Sequence, residues 1–269
     1  MIDCHLHLQD PRLADSVAEI MGAVRALGIG RLVVNGTHPG DWDAVAALAA
    51  EHAEVIPSFG LHPWRVGGEP EGWLADLEAR LVQHPGGGIG EIGLDRWIRG
   101  SDFGRQREVF AAQLDLAKRL GRPVSIHCLR AWGSLIEALD AAGLERSPLL
   151  HSYGGPMEMV GDFAARGAFF SISGYFFQPG KERKLAAFDA VPRDRFLIES
   201  DAPDMALPPE MLRHALADGN LNHPGNLMAV YEAVAARYGL GFEALVKRTR
   251  RNFAAWYGGR AGQHPESSR

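Results

Sequence analysis

Ile2-Asp3-Cys4-His5-Leu6-His7-Leu8 opens the chain as an apolar run interrupted by two histidines two positions apart. Successive side chains of a strand point to opposite faces, so His5 and His7 share one face, and Cys4, Leu6 and Leu8 are expected on the other. Two imidazoles so placed can grip one metal ion, although a pair of strand histidines can also be satisfied by backbone carbonyls. The choice depends on where the remaining ligand-type side chains fall, and so on how many strands follow.

Working outward, short apolar runs alternate with longer amphipathic ones. Strands are expected over 2–8, 31–37, 55–61, 88–94, 123–127, 149–151, 168–173 and 195–201. Helices are expected over 15–27, 41–52, 73–82, 103–120, 132–141, 156–166 and 182–188, with two more over 226–238 and 242–256. Such alternation marks repeated βα units around a parallel sheet, and eight of them predict an α/β protein with a single (β/α)8 TIM-barrel domain over 1–257. Residues 258–269 read as a polar, Gly-rich tail expected to be mobile.

Composition sets outer limits. The 269 residues are 46% hydrophobic and 23% charged, the balance of an ordinary globular chain. No apolar run approaches the roughly 20 residues that span a bilayer, and no signal-peptide pattern opens the chain, so no membrane association and a cytoplasmic location are expected. Two cysteines fit a reducing compartment, and both are expected to be small core residues. The formal net charge of -5 argues against coating nucleic acid through a broad basic surface, while leaving room for a small cationic site. A monomer is expected.

Barrel enzymes carry their chemistry where the strands end and the βα loops open. His5 and His7 lie on the first strand, His62 follows the third, Glu91 is on the fourth, and His127, His151 and Asp201 lie at the ends of the fifth, sixth and eighth. His52, His84 and His264 fall elsewhere and are expected to be solvated. Four imidazoles and two carboxylates can hold two divalent ions about 3.5 to 4 Å apart. Strand order assigns His5, His7 and Asp201 to one ion and His127 and His151 to the other, with Glu91 as bridge. Water held between them would be a nucleophile at neutral pH, with Asp201 orienting or deprotonating it. The donor set suits Zn, Mn, Fe or Ni, and Mg with fewer imidazoles.

Six stretches then resemble a known family: Asp3-Cys4-His5-Leu6-His7, Gly60-Leu61-His62-Pro63, Gly90-Glu91-Ile92-Gly93-Leu94-Asp95, Pro123-Val124-Ser125-Ile126-His127-Cys128, Leu150-His151-Ser152-Tyr153-Gly154-Gly155 and Glu199-Ser200-Asp201-Ala202-Pro203. They look like the signatures of the TatD family of metal-dependent deoxyribonucleases, in the family's order and across nearly the whole chain. Asn222-His223-Pro224 and Asn252-Phe253 also match. The resemblance implies a barrel hydrolase of the amidohydrolase type, His5, His7, Glu91, His127, His151 and Asp201 as ligands, and a phosphodiester substrate such as single-stranded DNA, strand ends or a small diester. Two departures stand out. Leu129 occupies the place of an arginine that here comes one position later as Arg130, and Tyr153 replaces the commoner phenylalanine.

His62, Arg130 and Tyr153 are the candidate substrate-binding residues. Trp64 and Trp97 could stack on bases or simply pack the rim. Glu199, two residues before Asp201, could buttress a ligand or pair within the core. The segment 202–223 is either a functional loop or a short helix on the rim. A hydrolase of esters, lactones or amides on the same centre, and a metal-binding protein without turnover, remain the alternatives.

Overall fold

A computed structural model describes residues 1–258. Of the expected features, the tail beyond Gly258 and His264 lie outside the described residues. Strands β1 (Ile2–Leu6), β2 (Arg31–Asn35), β3 (Val55–Phe59), β4 (Gly88–Asp95), β5 (Val124–Leu129), β6 (Leu149–Leu150), β7 (Phe169–Ile172) and β8 (Phe196–Ile198) form one parallel sheet in sequence order. The sheet closes on itself where Asp201 N–H donates to His5 O and His7 N–H donates to Ala202 O.

Helices α1 (Val17–Ala26), α2 (Trp42–Glu51), α3 (Trp73–Gln83), α4 (Phe103–Leu120), α5 (Trp132–Ala142), α6 (Val160–Ala165), α7 (Glu182–Ala187), α8 (Leu227–Arg237) and α9 (Phe242–Tyr257) follow the strands. The ends of α4 show how the local sequence sets the boundaries. Asp102 accepts a hydrogen bond from Arg105 N–H at its start, and Gly121 takes the left-handed conformation at its end.

Two apolar layers hold the barrel. The larger lies between strands and helices and includes Leu6, Leu8, Leu32 and Val34. The smaller gathers Cys4, Val33, Ile56, Leu149, Phe169 and Leu197 with Phe253, Trp256 and Tyr257 of α9. Complete burial of such a ring contributes about 2 to 3 kcal/mol. Helix α9 therefore stoppers the end of the barrel opposite the loops that carry the ligand-type residues.

Cys4 departs from the expected alternation. Between Asp3 and Leu6 the pairing to β2 shifts register, three residues of β1 advancing against two of β2. Leu6 and Leu8 stay in the outer layer, whereas Cys4 joins the inner cluster, with its Sγ 3.8 Å from Glu199 Oε2. His52 is a second correction. It is buried, with Nδ1 3.3 Å from the Arg25 guanidinium, because the turn after α2 folds it beneath that side chain. The segment 202–223 is an irregular loop with one 3-10 turn at Pro209–Met211. Asn222 donates to Ser200 O, and Asn226 accepts from the N–H groups of Arg213 and His214, so two buried amides pin it.

Candidate metal centre

Glu91 is the hub of the expected ligand set, and its two oxygens face different partners. Oε2 lies 3.4 Å from His5 Nε2 and 3.2 Å from His7 Nε2. Oε1 lies 2.7 Å from His151 Nε2, 3.0 Å from His127 Nδ1 and 3.1 Å from His62 Nε2. Asp201 Oδ1 is 3.7 Å from the Nε2 atoms of both His5 and His7. The strand geometry explains this convergence. β4 shifts register against β5 between Ile89 and Ile92, and a Cβ at Gly90 would lie only 2.7 Å from Asn35 Oδ1, so the backbone enters a space that a larger residue would fill. Asp201 and Arg130, at the mouths of β8 and β5, hold left-handed backbone, with φ of 53° and 54°. Non-glycine residues adopt it at a cost of about 1 to 2 kcal/mol.

The separations in the first group fit a cation. His5 and His7 Nε2 are 3.4 Å apart, and the edges from them to Glu91 and Asp201 run from 3.2 to 3.7 Å. Ligand atoms about 2.0 to 2.2 Å from a tetrahedral Zn lie about 3.3 to 3.6 Å from one another, the range of these five separations to within about 0.1 Å. Each of four imidazoles also has its far nitrogen beside an acceptor. His7 Nδ1 donates to Asn35 O at 2.8 Å, His127 Nε2 donates to Asp95 Oδ2 at 2.9 Å, His5 Nδ1 lies 2.8 Å from Ser125 Oγ, and His151 Nδ1 lies 3.6 Å from Glu199 Oε1. A proton held on that side leaves a lone pair on the nitrogen that faces Glu91, as metal-binding histidines require.

His62 has the opposite polarity. Its Nδ1 accepts the Trp64 N–H at 3.1 Å, so in the neutral ring Nε2 carries the proton and points an N–H donor into the site. It joins Glu91 and His127 in space as a candidate cation group, but its tautomer suits a substrate oxygen better than a metal.

Protonation agrees with a cation site. Burial opposes charge on His7, yet Glu91 and Asp201 outweigh it and raise its pKa to about 9. Burial likewise opposes charge on His151, while Glu91 and Glu199 hold its proton well above the ordinary range. His5 stacks on His151 with ring centroids 3.9 Å apart, and burial together with that neighbour lowers it to about 4. Burial alone would raise Glu91, but the surrounding imidazoles, His151 foremost, carry it well below the ordinary range. Burial opposes charge on His127 as well, yet Asp95 and Glu91 raise its pKa, so protons on His7, His151 and His127 occupy the place of positive charge that a divalent ion would supply.

A cation must displace those protons, so its affinity is expected to climb as pH rises from 6.5, the ordinary histidine value, through about 9, where His7 is half deprotonated. The slope should be about one logarithmic unit per pH unit for each proton released, and it should lessen above about pH 9 as the free protein gives up the proton on His7. Competition titrations with a chromogenic chelator would measure it. Affinity independent of pH over this interval would contradict the protonation assigned to His7.

The remaining expected residues separate clearly. Arg130 is exposed at the end of β5, its guanidinium 5.8 Å from the Trp97 ring. Tyr153 does not reach the site. It is 0% exposed, wedged against Trp132 and Phe170, and its hydroxyl donates to Pro156 O at 2.8 Å. The turn after β6 directs it into the outer core, so its assignment to substrate is corrected. Tyr153→Phe should cost about 1 kcal/mol of stability through the lost hydrogen bond while leaving KM as it is, which thermal melts and steady-state kinetics would check.

Glu199 lies behind His151, its Oε1 3.6 Å from His151 Nδ1. Its Oε2 accepts from Ser171 Oγ at 2.5 Å, while its Oε1 and His151 Nδ1 are both buried and without a hydrogen-bond partner. Asp95 was missed. It is fully buried, binds His127, and also accepts from Trp64 Nε1 at 2.7 Å and Trp97 N–H at 2.6 Å. The signal was present, since Asp95 lies four residues beyond Glu91 on the same strand face.

Comparisons with known proteins agree with this geometry. Residues 2–258 match the family of TatD related DNase. The metal-dependent hydrolase YjjV of Escherichia coli K12 is 30% identical over 77% of this chain and 80% of its own. Its crystal structure superposes with a TM-score of 0.88, at 25% identity over 96% of this chain and 98% of that one. The human deoxyribonuclease TATDN3 is 28% identical over 94% and 92% of the two chains. The 3'-5' ssDNA/RNA exonuclease TatD of Edwardsiella piscicida is 29% identical over 76% and 79%. With one family matched across the described barrel and its relatives aligned along most of their length, the chain belongs to the TatD-related DNase family of metal-dependent hydrolases.

Proposed function

We propose that this chain hydrolyses phosphodiester bonds at the ends of single-stranded DNA, with two divalent cations held by His5, His7, Glu91, His127, His151 and Asp201. The observation that carries this reading is the division of Glu91, one oxygen toward His5 and His7 and the other toward His127 and His151. Bound there, the cations would supply activated water and neutralise charge on a phosphodiester.

The chain's own groups do the rest. Asp201 is buried, and burial with the nearby carboxylates lifts its pKa to about 8 in the metal-free centre despite the opposing imidazoles, so it can carry a proton near neutrality. His62 directs its Nε2 proton toward a substrate oxygen. Arg130 at the rim meets a phosphate. Asp95 holds His127 in the tautomer that faces the centre, and the Glu199 carboxylate behind His151 favours a proton on the far side of that ring.

The TatD exonuclease of Edwardsiella piscicida supports a single-stranded substrate here. So does the formal charge of -5, which favours a footprint of one or two phosphates over a broad duplex-binding face. Two buried free cysteines fit a reducing compartment, and we place the protein in the cytoplasm as a monomer. Among the described residues no helix is long and apolar enough to cross a membrane.

The deciding experiment reconstitutes the metal-stripped protein with Zn, Mn, Mg, Fe or Ni. It then offers end-labelled single-stranded and duplex oligonucleotides, a bis-aryl phosphodiester, a lactone and an acyl ester over a range of salt. Mononucleotides released from single strands with a shallow salt dependence are expected. Turnover of the lactone or ester alone would move the chain to another substrate class, and fast internal cutting of duplex with a steep salt slope would overturn the small footprint.

A further inference from the structure

Trp64 is 58% exposed, yet its indole is fixed. Its Nε1 donates to the buried Asp95 carboxylate, which also holds His127, and its ring meets those of His62 and His127 edge to face at 5.1 and 6.1 Å. An exposed tryptophan gains little stability from being held still, since much of its apolar surface remains in water. The fixed ring forms part of a groove of about 490 Å³ lined also by His38, Pro39, Leu61, Arg65 and Pro70. Grooves of roughly 300 to 1,000 Å³ hold small organic ligands. Arg65 is exposed and makes no ion pair among the described residues. The groove's carboxylate, Glu69, is already engaged by Arg105 at 2.7 Å. A flat apolar face beside the centre, with an unengaged cation one residue away, matches a nucleotide, which offers a ring to stack on and a phosphate at a fixed distance from it.

We propose that the groove beside Trp64 is a nucleobase subsite, in which the indole stacks on the base next to the phosphodiester held at the metal centre and Arg65 meets the phosphate beyond. This rests on the phosphodiester reading above and adds the part of the substrate that is recognised. Asp95 then couples the two, because one carboxylate orients both His127 at the centre and the platform under the base.

The test separates binding from turnover. A phosphorothioate-linked thymidine tetramer and an abasic tetramer of the same linkage are titrated by fluorescence polarisation onto the metal-loaded protein. The wild type should prefer the base-bearing tetramer by roughly 5- to 150-fold. Trp64→Ala should abolish that preference, and Trp64→Phe, which keeps a ring but loses the bond to Asp95, should retain most of it. A wild type without preference, or a Trp64→Ala variant that keeps it, overturns the subsite. Preference that depends on Trp64 with no cleavage of any phosphodiester would uphold the subsite while the hydrolytic reading failed.

A second measurement uses the ratio of kcat/KM for thymidine 5'-(4-nitrophenyl) phosphate to that for methyl 4-nitrophenyl phosphate. Trp64→Ala should lower the ratio about tenfold or more. A parallel fall for both substrates would mean that Trp64 acts only through Asp95 and would overturn the stacking role. Arg65→Ala should reduce the salt slope of tetramer binding by about one, and an unchanged slope removes Arg65 from the proposal.

Discussion

Glu91→Ala is expected to empty both halves of the centre and to lower turnover by at least about 10³-fold. The size follows from the charge it removes. Among the expected ligands Glu91 is the one group that faces all four imidazoles, with Oε2 toward His5 and His7 and Oε1 toward His127 and His151. A divalent ion stabilises the transition state of hydrolysis by several kcal/mol, and about 4 kcal/mol is a factor of 10³. Without the carboxylate, four imidazoles would face the two cations with Asp201 as the one remaining carboxylate ligand, and the attraction that raises His7 to about 9 would be weakened. Elemental analysis after dialysis should find neither ion at stoichiometric occupancy. A variant that kept two ions, or one that kept its activity, would remove Glu91 from the bridging position.

Much of this site was legible in the sequence, for a definite reason. Side-chain parity along a strand and the location of barrel chemistry at strand ends depend only on sequence spacing, so His5 with His7, Glu91, His127, His151 and Asp201 could be placed at one mouth. Features set by register or by side-chain polarity were not legible. Cys4 turned inward because β1 gains a residue on β2 between Asp3 and Leu6, a shift that composition does not encode. Tyr153 went to the outer core because β6 ends at Leu150, and the turn beyond His151 reverses its direction. The role of His62 hinges on a single backbone N–H, that of Trp64, which fixes the tautomer and cannot be inferred from residue type. Asp95 is the instructive omission, since its parity with Glu91 was available. It closes the stretch 90–95 and still went unassigned, because spacing along one strand does not show which histidine of a neighbouring strand a carboxylate meets from behind.

Asp201→Asn should dissociate metal content from turnover, which Glu91→Ala does not. Asparagine keeps the shape of Asp201 and an oxygen beside His5 and His7, where Oδ1 lies 3.7 Å from both Nε2 atoms. It also keeps the backbone: asparagine is among the few side chains at ease in the left-handed region, and the φ of 53° at this position would strain most others. Occupancy is therefore expected to fall modestly, with Glu91 and the histidines still in place. The proton chemistry is lost outright. In the metal-free centre burial raises the carboxyl to about 8, helped by Glu199 and Glu91 and opposed by His151 and His7, so the group sits where it can both take and return a proton near neutrality. Cations bound beside it would favour the carboxylate and move that value down, leaving a base at pH 7. An amide cannot accept the proton at any pH, and removal of a positioned base costs about 10² to 10⁴ in rate. The expected result is a protein that retains most of its metal and loses that factor in kcat. The loss should be nearly constant with pH on the alkaline side, where wild-type Asp201 is ionised, and smaller on the acid side, where the wild-type carboxyl is itself protonated. Metal analysis and a pH–rate profile on the same preparation would decide the matter. Equal losses of metal and rate would make Asp201 a ligand only, and an undiminished rate would leave proton transfer to another group, of which His62 is the nearest in chemistry.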